Sequence, residues 1–197
     1  MLNEVRGILA YRFTEPVVWL LAKRSLNPIV ITWIGFLLNA GAGILIINGH
    51  LFIAGIVVLI GGYADTIDGA LARRTNQVTK FGAILDSTFD RLSEAILLLG
   101  LLVLYVSEQA ETGIILVSVV LVNSLMVSYI RARAEASGLE CRIGLFTRVE
   151  RVIILVLGLL LSQIENVLYI ALGIIAVFSL ITVIQRLLYV WKQTQNE

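Results

Sequence analysis

The chain has 197 residues, of which 58% are hydrophobic and only 15% are charged, and its mean hydropathy is +0.93. Soluble domains carry roughly a quarter charged residues, so this composition excludes a disordered, collagen-like or small soluble protein and indicates a chain that lies mostly in lipid. One Cys and one His exclude an intramolecular disulfide and a four-ligand zinc site of the usual kind, and a net charge of +1 gives no overall attraction to nucleic acid.

Residues 1–24 mix apolar and charged side chains, and Pro16 interrupts the run. This composition, with Trp19 and several Leu, is typical of a helix that lies in the membrane interface. The sequence therefore predicts an interfacial amphipathic helix on the cytoplasmic leaflet, with a frayed tail as the alternative.

Six apolar segments follow, each near the roughly 20 helical residues that cross the hydrocarbon layer of a bilayer. They cover residues 29–47, 51–72, 81–105, 113–131, 149–163 and 166–189. We predict an all-α integral membrane protein with six transmembrane helices, of which the fifth is the shortest. It would form one domain over 1–197, with the helical bundle at 29–189 and a tail at 190–197.

Lys and Arg residues mark one side of this six-span arrangement. The connections at 48–50, 107–112 and 162–166 contain none, whereas the connections on the other side contain many. Because loops rich in Lys and Arg stay in the cytoplasm, we expect a multi-pass protein of the cell membrane with both termini on the cytoplasmic side.

Four aspartates lie in or at the ends of the second and third spans, where a lipid-facing Asp costs about 2.5–3.5 kcal/mol. Asp65 and Asp68 are spaced i, i+3, and Asp86 and Asp90 are spaced i, i+4, so each pair lies on one helix face. An antiparallel hairpin centred near residue 77 brings the two pairs opposite each other. An all-oxygen cluster favours hard cations, namely Mg²⁺, Mn²⁺ or Ca²⁺, and four carboxylates suffice for two ions.

Small residues and an arginine lie between the two Asp pairs. Gly69 and Ala72 leave the helix face beside the acids bare, and the guanidinium fork of Arg73 suits phosphate oxygens. With divalent cations, they predict a nucleotide or diphosphate substrate. The alternative is that the small residues serve helix packing and that Arg73 only orients the chain.

Together these residues form a single spaced pattern. It reads Asp65-x-x-Asp68-Gly69-x-x-Ala72-Arg73-x8-Gly82-x3-Asp86-x3-Asp90. The pattern resembles the signature of the CDP-alcohol phosphatidyltransferases with every fixed position present, and the six-helix plan resembles that family over nearly the whole chain. The resemblance implies a transferase that moves the phospholipid part of a CDP-activated lipid to an alcohol hydroxyl and releases CMP.

The resemblance also implies residue roles. Asp65, Asp68 and Asp86 would bind two divalent ions, Mg²⁺ or Mn²⁺, that hold the diphosphate. Asp90 would complete the metal site and take the proton of the attacking hydroxyl, which makes it the expected catalytic residue.

The donor site and the assembly follow from the same resemblance. Gly69 and Ala72 would give the cytidine room, and Arg73 would contact its phosphates, with Gly82 in the same donor site. Thr32, near the start of the first span, would lie near the nucleotide, although a plain helix start explains that segment equally well. Members of the family are commonly dimeric, so a homodimer is expected.

A second basic cluster lies between the fourth and fifth spans. It holds five arginines within 21 residues, more than orientation requires: Arg131, Arg133, Arg142, Arg148 and Arg151. If they line the same mouth as the aspartates, they form a receptor for a phosphate monoester, which leaves inositol 1-phosphate or glycerol 3-phosphate as the acceptor. A polybasic loop on anionic lipid headgroups is the alternative.

The segment 128–135 with Arg148-x-x-Arg151 resembles the branch of the family that makes phosphatidylinositol phosphate or archaetidylinositol phosphate. By that similarity, the inositol phosphate would be held by Ser128, Arg131, Arg133, Arg148 and Arg151. Glu135 and Glu150 could simply pair with neighbouring arginines. The predicted acceptor is therefore inositol 1-phosphate, with glycerol 3-phosphate, which gives phosphatidylglycerol phosphate, as the alternative.

Two other protein classes also place Asp in membranes. A divalent-cation transporter needs a path to both sides, and the outer halves of these helices offer almost no acids. An intramembrane prenyltransferase would require longer Asp-rich motifs and typically more helices.

Overall fold

The computed structural model describes residues 15–23, 26–141 and 143–195. Residues 15–23 are helical and form α1. The longer helices are α2 (Pro28–Ile47), α3 (Leu51–Arg74), α4 (Lys80–Ser107), α5 (Glu111–Ala136), α6 (Arg148–Leu160) and α7 (Val167–Thr194). Each begins and ends within a few residues of a predicted segment, and no strand occurs in the described ranges, so the predicted all-α class is confirmed.

Four helices in the described part of the chain, α2, α3, α5 and α7, are long and apolar enough to cross a membrane. Helix α4 has 28 residues, but Asp86, Asp90, Arg91 and Glu94 interrupt its apolar sequence. Helix α6 has 13 residues, which rise about 20 Å against a hydrocarbon thickness of about 30 Å. The count of six spans therefore stays a prediction for α4 and α6.

Helices that carry predicted site residues begin at local caps. The side chain of Asn27 accepts a hydrogen bond from the amide of Ile29 at 3.0 Å at the start of α2. Thr79 accepts one from the amide of Gly82 at 2.9 Å at the start of α4. Thr147 and Glu150 form a capping box at the start of α6. Because a cap fixes where a helix begins, it also fixes which side chains share a face.

Helix α2 packs against α3 and α4, the two helices that carry the Asp motif. Helix α6 packs against α3 and α7, and α5 packs against α4 and α7. Close crossings occur at small residues: a Cβ built on Gly35 would lie 3.4 Å from the carbonyl oxygen of Gly61, and one built on Gly100 would lie 2.9 Å from that of Gly43. Small residues let helix backbones approach in lipid.

The part of the predicted interfacial segment that the structure describes is helical and packs onto the bundle. Val18 of α1 is buried with Ile31, Ile67 and Leu71 in a small apolar cluster next to the Asp motif. Glu15 forms an ion pair with Arg74 at 3.8 Å. The remainder of the segment, 1–14 and 24, lies outside the described residues.

Candidate active site

Asp68 is held by a side chain from the neighbouring helix. It is 4% exposed, and the hydroxyl of Thr32 on α2 donates to its Oδ2 at 2.5 Å. Thr32, predicted to lie near the nucleotide, thus lies beside a predicted metal ligand. Asn27 caps the start of α2, so the alternative interpretation of the segment around Thr32, a plain helix start, also holds.

Arg148 joins three helices at the aspartates. Its Nη2 lies 3.3 Å from Oδ2 of Asp65 on α3, and its Nη1 lies 2.5 Å from Oδ1 of Asp90 on α4. Asp86 interacts electrostatically with Arg148 and with each of the other three aspartates, including Asp68. Charged side chains from α3, α4 and α6 therefore lie together in one region.

The donor set of this region fits a hard cation. All four acidic groups are carboxylates, and Arg148 and Arg91 are the arginines whose charges act on them, so negative charge exceeds positive charge. Carboxylate oxygens are the ligands that Mg²⁺ and Mn²⁺ prefer. Within the described residues no three acidic, His or Cys side chains are close enough to form a ready-made metal cluster; the guanidinium of Arg148 lies between Asp65 and Asp90 instead.

The residues of the predicted donor site lie on α3 and at the start of α4. A Cβ built on Gly69 would lie 3.4 Å from Nη1 of Arg73, so the arginine folds back one helical turn over the glycine. Ala72 is partly buried on the same helix. Gly82 has a local structural role, because its amide donates to the capping hydroxyl of Thr79 and an added Cβ would lie 3.0 Å from Oγ1 of that residue.

The predicted acceptor arginines on α6 are only partly exposed or fully buried. Arg148 is partly buried, and its Nε has no hydrogen-bond partner among the described residues. Arg151 is 1% exposed and donates from Nε and Nη2 to the two carboxylate oxygens of Glu94, at 2.6 and 2.8 Å. Its Nη1 likewise has no partner in the described part of the chain.

The other residues of that cluster lie on α5. Arg131 and Arg133 are exposed and Ser128 is partly buried. Arg131 pairs with Glu135 at 2.8 Å, as the i, i+4 spacing predicted for that glutamate. Arg142 lies outside the described residues.

Two residues next to the site have no role in the sequence prediction. Glu94 is the buried partner of Arg151. Its spacing of four residues from Asp90 places it on the same face of α4, and this was the feature of the sequence that could have identified it. Arg186 on α7 is 4% exposed and donates to the carbonyl oxygens of Ile143 and Val127. In the sequence, nothing distinguishes Arg186 from other basic residues near a helix end.

The family model for CDP-alcohol phosphatidyltransferases matches residues 25–187. The chain belongs to the CDP-alcohol phosphatidyltransferase family. The matched range contains every position of the Asp motif and every predicted acceptor residue. The predicted family and the predicted enzyme class, a transferase of the CDP-alcohol type, are confirmed.

Similar proteins match over most of their length. An archaetidylinositol phosphate synthase of Methanothermobacter thermautotrophicus is 36% identical over 195 residues, which is 98% of this chain and 95% of that protein. The crystal structure of Mycobacterium tuberculosis phosphatidylinositol phosphate synthase with CDP-DAG bound is 36% identical, has a TM-score of 0.84 and aligns over 91% of this chain and 94% of that one. The same enzyme in complex with manganese and citrate also has a TM-score of 0.84 and aligns over 90% and 88%.

These likenesses support a membrane CDP-alcohol phosphatidyltransferase that depends on a divalent cation and uses a CDP-activated lipid. They do not support the transporter and prenyltransferase alternatives.

Proposed function

We propose that this CDP-alcohol phosphatidyltransferase joins the phosphatidyl or archaetidyl group of a CDP-activated lipid to inositol 1-phosphate and releases CMP. The proposal rests on the position of Arg148. It contacts Asp65 and Asp90 of the family motif and lies three residues before Arg151 on α6. A carboxylate site suited to cations and a donor-rich site suited to a phosphate monoester therefore adjoin.

On the donor side, Asp65, Asp68, Asp86 and Asp90 would hold two divalent ions, Mg²⁺ or Mn²⁺. Ions bound there would offset the charge of the diphosphate and make CMP a better leaving group. Thr32 contributes by holding one carboxylate oxygen of Asp68 through its hydroxyl.

Asp90 is the proposed general base. The hydroxyl oxygen of the acceptor attacks the phosphorus on the lipid side of the diphosphate, the bond from that phosphorus to the oxygen of CMP breaks, and the hydroxyl proton passes to a carboxylate oxygen of Asp90. Its Oδ1 already lies 2.5 Å from Arg148, so an acceptor whose phosphate is held by that arginine would bring a hydroxyl near this carboxylate.

The cytidine diphosphate would lie over Gly69 and Ala72, with Arg73 on its phosphates and Gly82 at the end of the same site. Arg73 fits this role because its guanidinium is exposed and turned back over Gly69. An apolar groove of about 350 Å³ lies beside the motif between α1, α2 and α3, and Ala64 and Ile67 are among its lining residues. A groove of this character next to the carboxylates suits the hydrocarbon part of the donor.

The acceptor phosphate would be bound by Ser128, Arg131, Arg133, Arg148 and Arg151. Two observations support this. Nε of Arg148 and Nη1 of Arg151 are buried N–H donors without a partner among the described residues, and buried donors without partners are rare unless a ligand satisfies them. The exposed pair of Arg131 and Glu135 contributes little to stability and can open at low cost. The similar proteins are archaetidylinositol and phosphatidylinositol phosphate synthases, which favours inositol 1-phosphate over the alternative acceptor, glycerol 3-phosphate.

We further propose one membrane domain that forms a homodimer in the cell membrane, with both termini and the active site on the cytoplasmic side. The basic residues support this orientation, because Arg74 at the end of α3 and Arg148 at the start of α6 lie at the same end of the bundle as the Asp motif. Such clusters stay in the cytoplasm.

A direct test measures CMP release from CDP-lipid by the purified protein in nanodiscs, with inositol 1-phosphate, glycerol 3-phosphate or free inositol as the acceptor. We expect release to require inositol 1-phosphate and to stop when EDTA removes divalent cations, and to return when Mg²⁺ or Mn²⁺ is restored. Faster release with glycerol 3-phosphate would favour the alternative acceptor. Cation uptake into sealed vesicles without CMP release would contradict the enzyme.

The crossing of α2 and α3 gives a second prediction. A Cβ on Gly35 would lie 2.5 Å from Oδ1 of Asp65, so Gly35→Ala must displace this carboxylate. Because misplacement of a reacting group by about 1 Å can lower rates by about 10²-fold, we expect kcat for CMP release to fall by at least about tenfold. The matched control is Gly41→Ala on the same helix, where nothing lies within 4 Å of the new Cβ. Equal activity of the two variants would show that turnover does not depend on the position of the Asp65 carboxylate.

A further inference from the structure

Glu94 is a buried acid outside the family signature. It is 6% exposed and lies one turn beyond Asp90 on α4. Both of its carboxylate oxygens accept hydrogen bonds from Arg151, which is 1% exposed. Because a buried charge is tolerated only when another charge and hydrogen bonds compensate it, each of these two side chains depends on the other.

This pair links the same two helices as the pair formed by Arg148 and Asp90. The acids are spaced i, i+4 on α4 and the arginines i, i+3 on α6, so one acidic face meets one basic face. The two pairs differ in burial. The side chains of Arg148 and Asp90 are 28% and 26% exposed, and Arg148 also contacts Asp65, whereas those of Arg151 and Glu94 are 2% and 7% exposed. We call the buried pair of Arg151 and Glu94 the inner pair and the partly exposed pair of Arg148 and Asp90 the outer pair.

The inner pair also connects α6 to α4. The extensive contacts of α6 are with α3 and α7, and those of α4 are with α2 and α5. The two ion pairs therefore link helices that are not among the closely packed pairs of the described fold. Loss of the inner pair would let α6 shift along α4 and carry Arg148 away from the aspartates.

We propose that Glu94 is a positioning residue for the acceptor phosphate. It binds two of the three guanidinium nitrogens of Arg151, so that Nη1 stays free to donate, and it keeps Arg148 in register with Asp90. This inference rests on the proposed function, because it requires an acceptor that carries a phosphate. Glu94 itself touches no substrate.

The test uses Glu94→Gln in the full-length protein in nanodiscs, which keeps the size of the side chain and removes its charge. We expect the KM for inositol 1-phosphate to rise about tenfold or more, while the KM for CDP-lipid changes by less than about twofold. The matched control is Ser124→Ala. Ser124 lines the same small cavity as Glu94, and its hydroxyl has no partner in the described part of the chain, so this variant changes the packing there without a change in charge and should keep both KM values.

An unchanged acceptor KM, or an equal rise of both KM values together with a lower melting temperature, would mean that the pair is merely structural and would overturn the proposal. If Glu94→Gln does not fold, Glu94→Asp decides, because it keeps the buried charge and withdraws the carboxylate by one methylene. A selective rise of the acceptor KM in that variant supports positioning, and wild-type KM values overturn it. Failure of the proposed function is distinguishable, since the wild-type protein would then release no CMP in response to inositol 1-phosphate.

Discussion

Asp90→Asn is expected to lower kcat by about 10²–10⁴-fold, the range typical for loss of a general base, while the protein still binds CDP-lipid. The amide has the size of the carboxylate but cannot take the proton of the acceptor hydroxyl. Asp65, Asp68 and Asp86 remain to hold the cations and the diphosphate. The separation of turnover from donor binding is what distinguishes a base from a residue that only binds metal.

Two measurements check this. CMP release gives kcat, and calorimetric titration of the purified variant in nanodiscs with CDP-lipid and Mg²⁺ gives donor affinity. Glu111→Gln is the matched control, since it neutralises an acid at the start of α5, at the opposite end of that helix from Arg131. Undiminished kcat in Asp90→Asn would remove Asp90 as the base, and a parallel loss of donor binding would assign it to metal binding alone.

Local spacing predicted much of this fold and the helix faces on which the candidate site residues lie. The i, i+3 and i, i+4 intervals between the aspartates fixed the faces of α3 and α4, because helical periodicity requires nothing beyond the chain itself. The helix boundaries followed to within a few residues, since apolar runs are local features of the sequence.

Contacts between distant segments could not be predicted in this way. Arg148 reaches Asp65 across 83 residues and Arg151 reaches Glu94 across 57, and nothing in their spacing tells which arginine is buried and which is half-exposed. The spacing likewise predicted a hairpin of α3 and α4, whereas α2 packs against both of them. The count of six spans stays a prediction for a similar reason, because the cost of the charged residues of α4 in a membrane depends on which other helices cover them.

Arg148→Gln is expected to change cation binding and acceptor binding in opposite directions. The guanidinium of Arg148 is a positive charge on Asp65 and Asp90, the carboxylates proposed to bind divalent ions, so its removal should tighten Mn²⁺ binding in the absence of substrates. The same change removes a donor to the acceptor phosphate. A hydrogen bond to a charged group contributes about 1.5–3 kcal/mol, so we expect the KM for inositol 1-phosphate to rise by roughly 10- to 150-fold.

Electron paramagnetic resonance of Mn²⁺ titrated into the protein in nanodiscs measures the first effect without any turnover, and CMP release measures the second. Lys192→Gln, an exposed charge near the end of α7, controls for the general loss of one positive charge. Weaker binding of both Mn²⁺ and the acceptor would mean that Arg148 supports the carboxylates and does not compete for them. Opposite shifts would instead show that the acceptor arginine and the cations share the same two aspartates, so that cation binding frees Arg148 for the phosphate and the two ligands bind cooperatively.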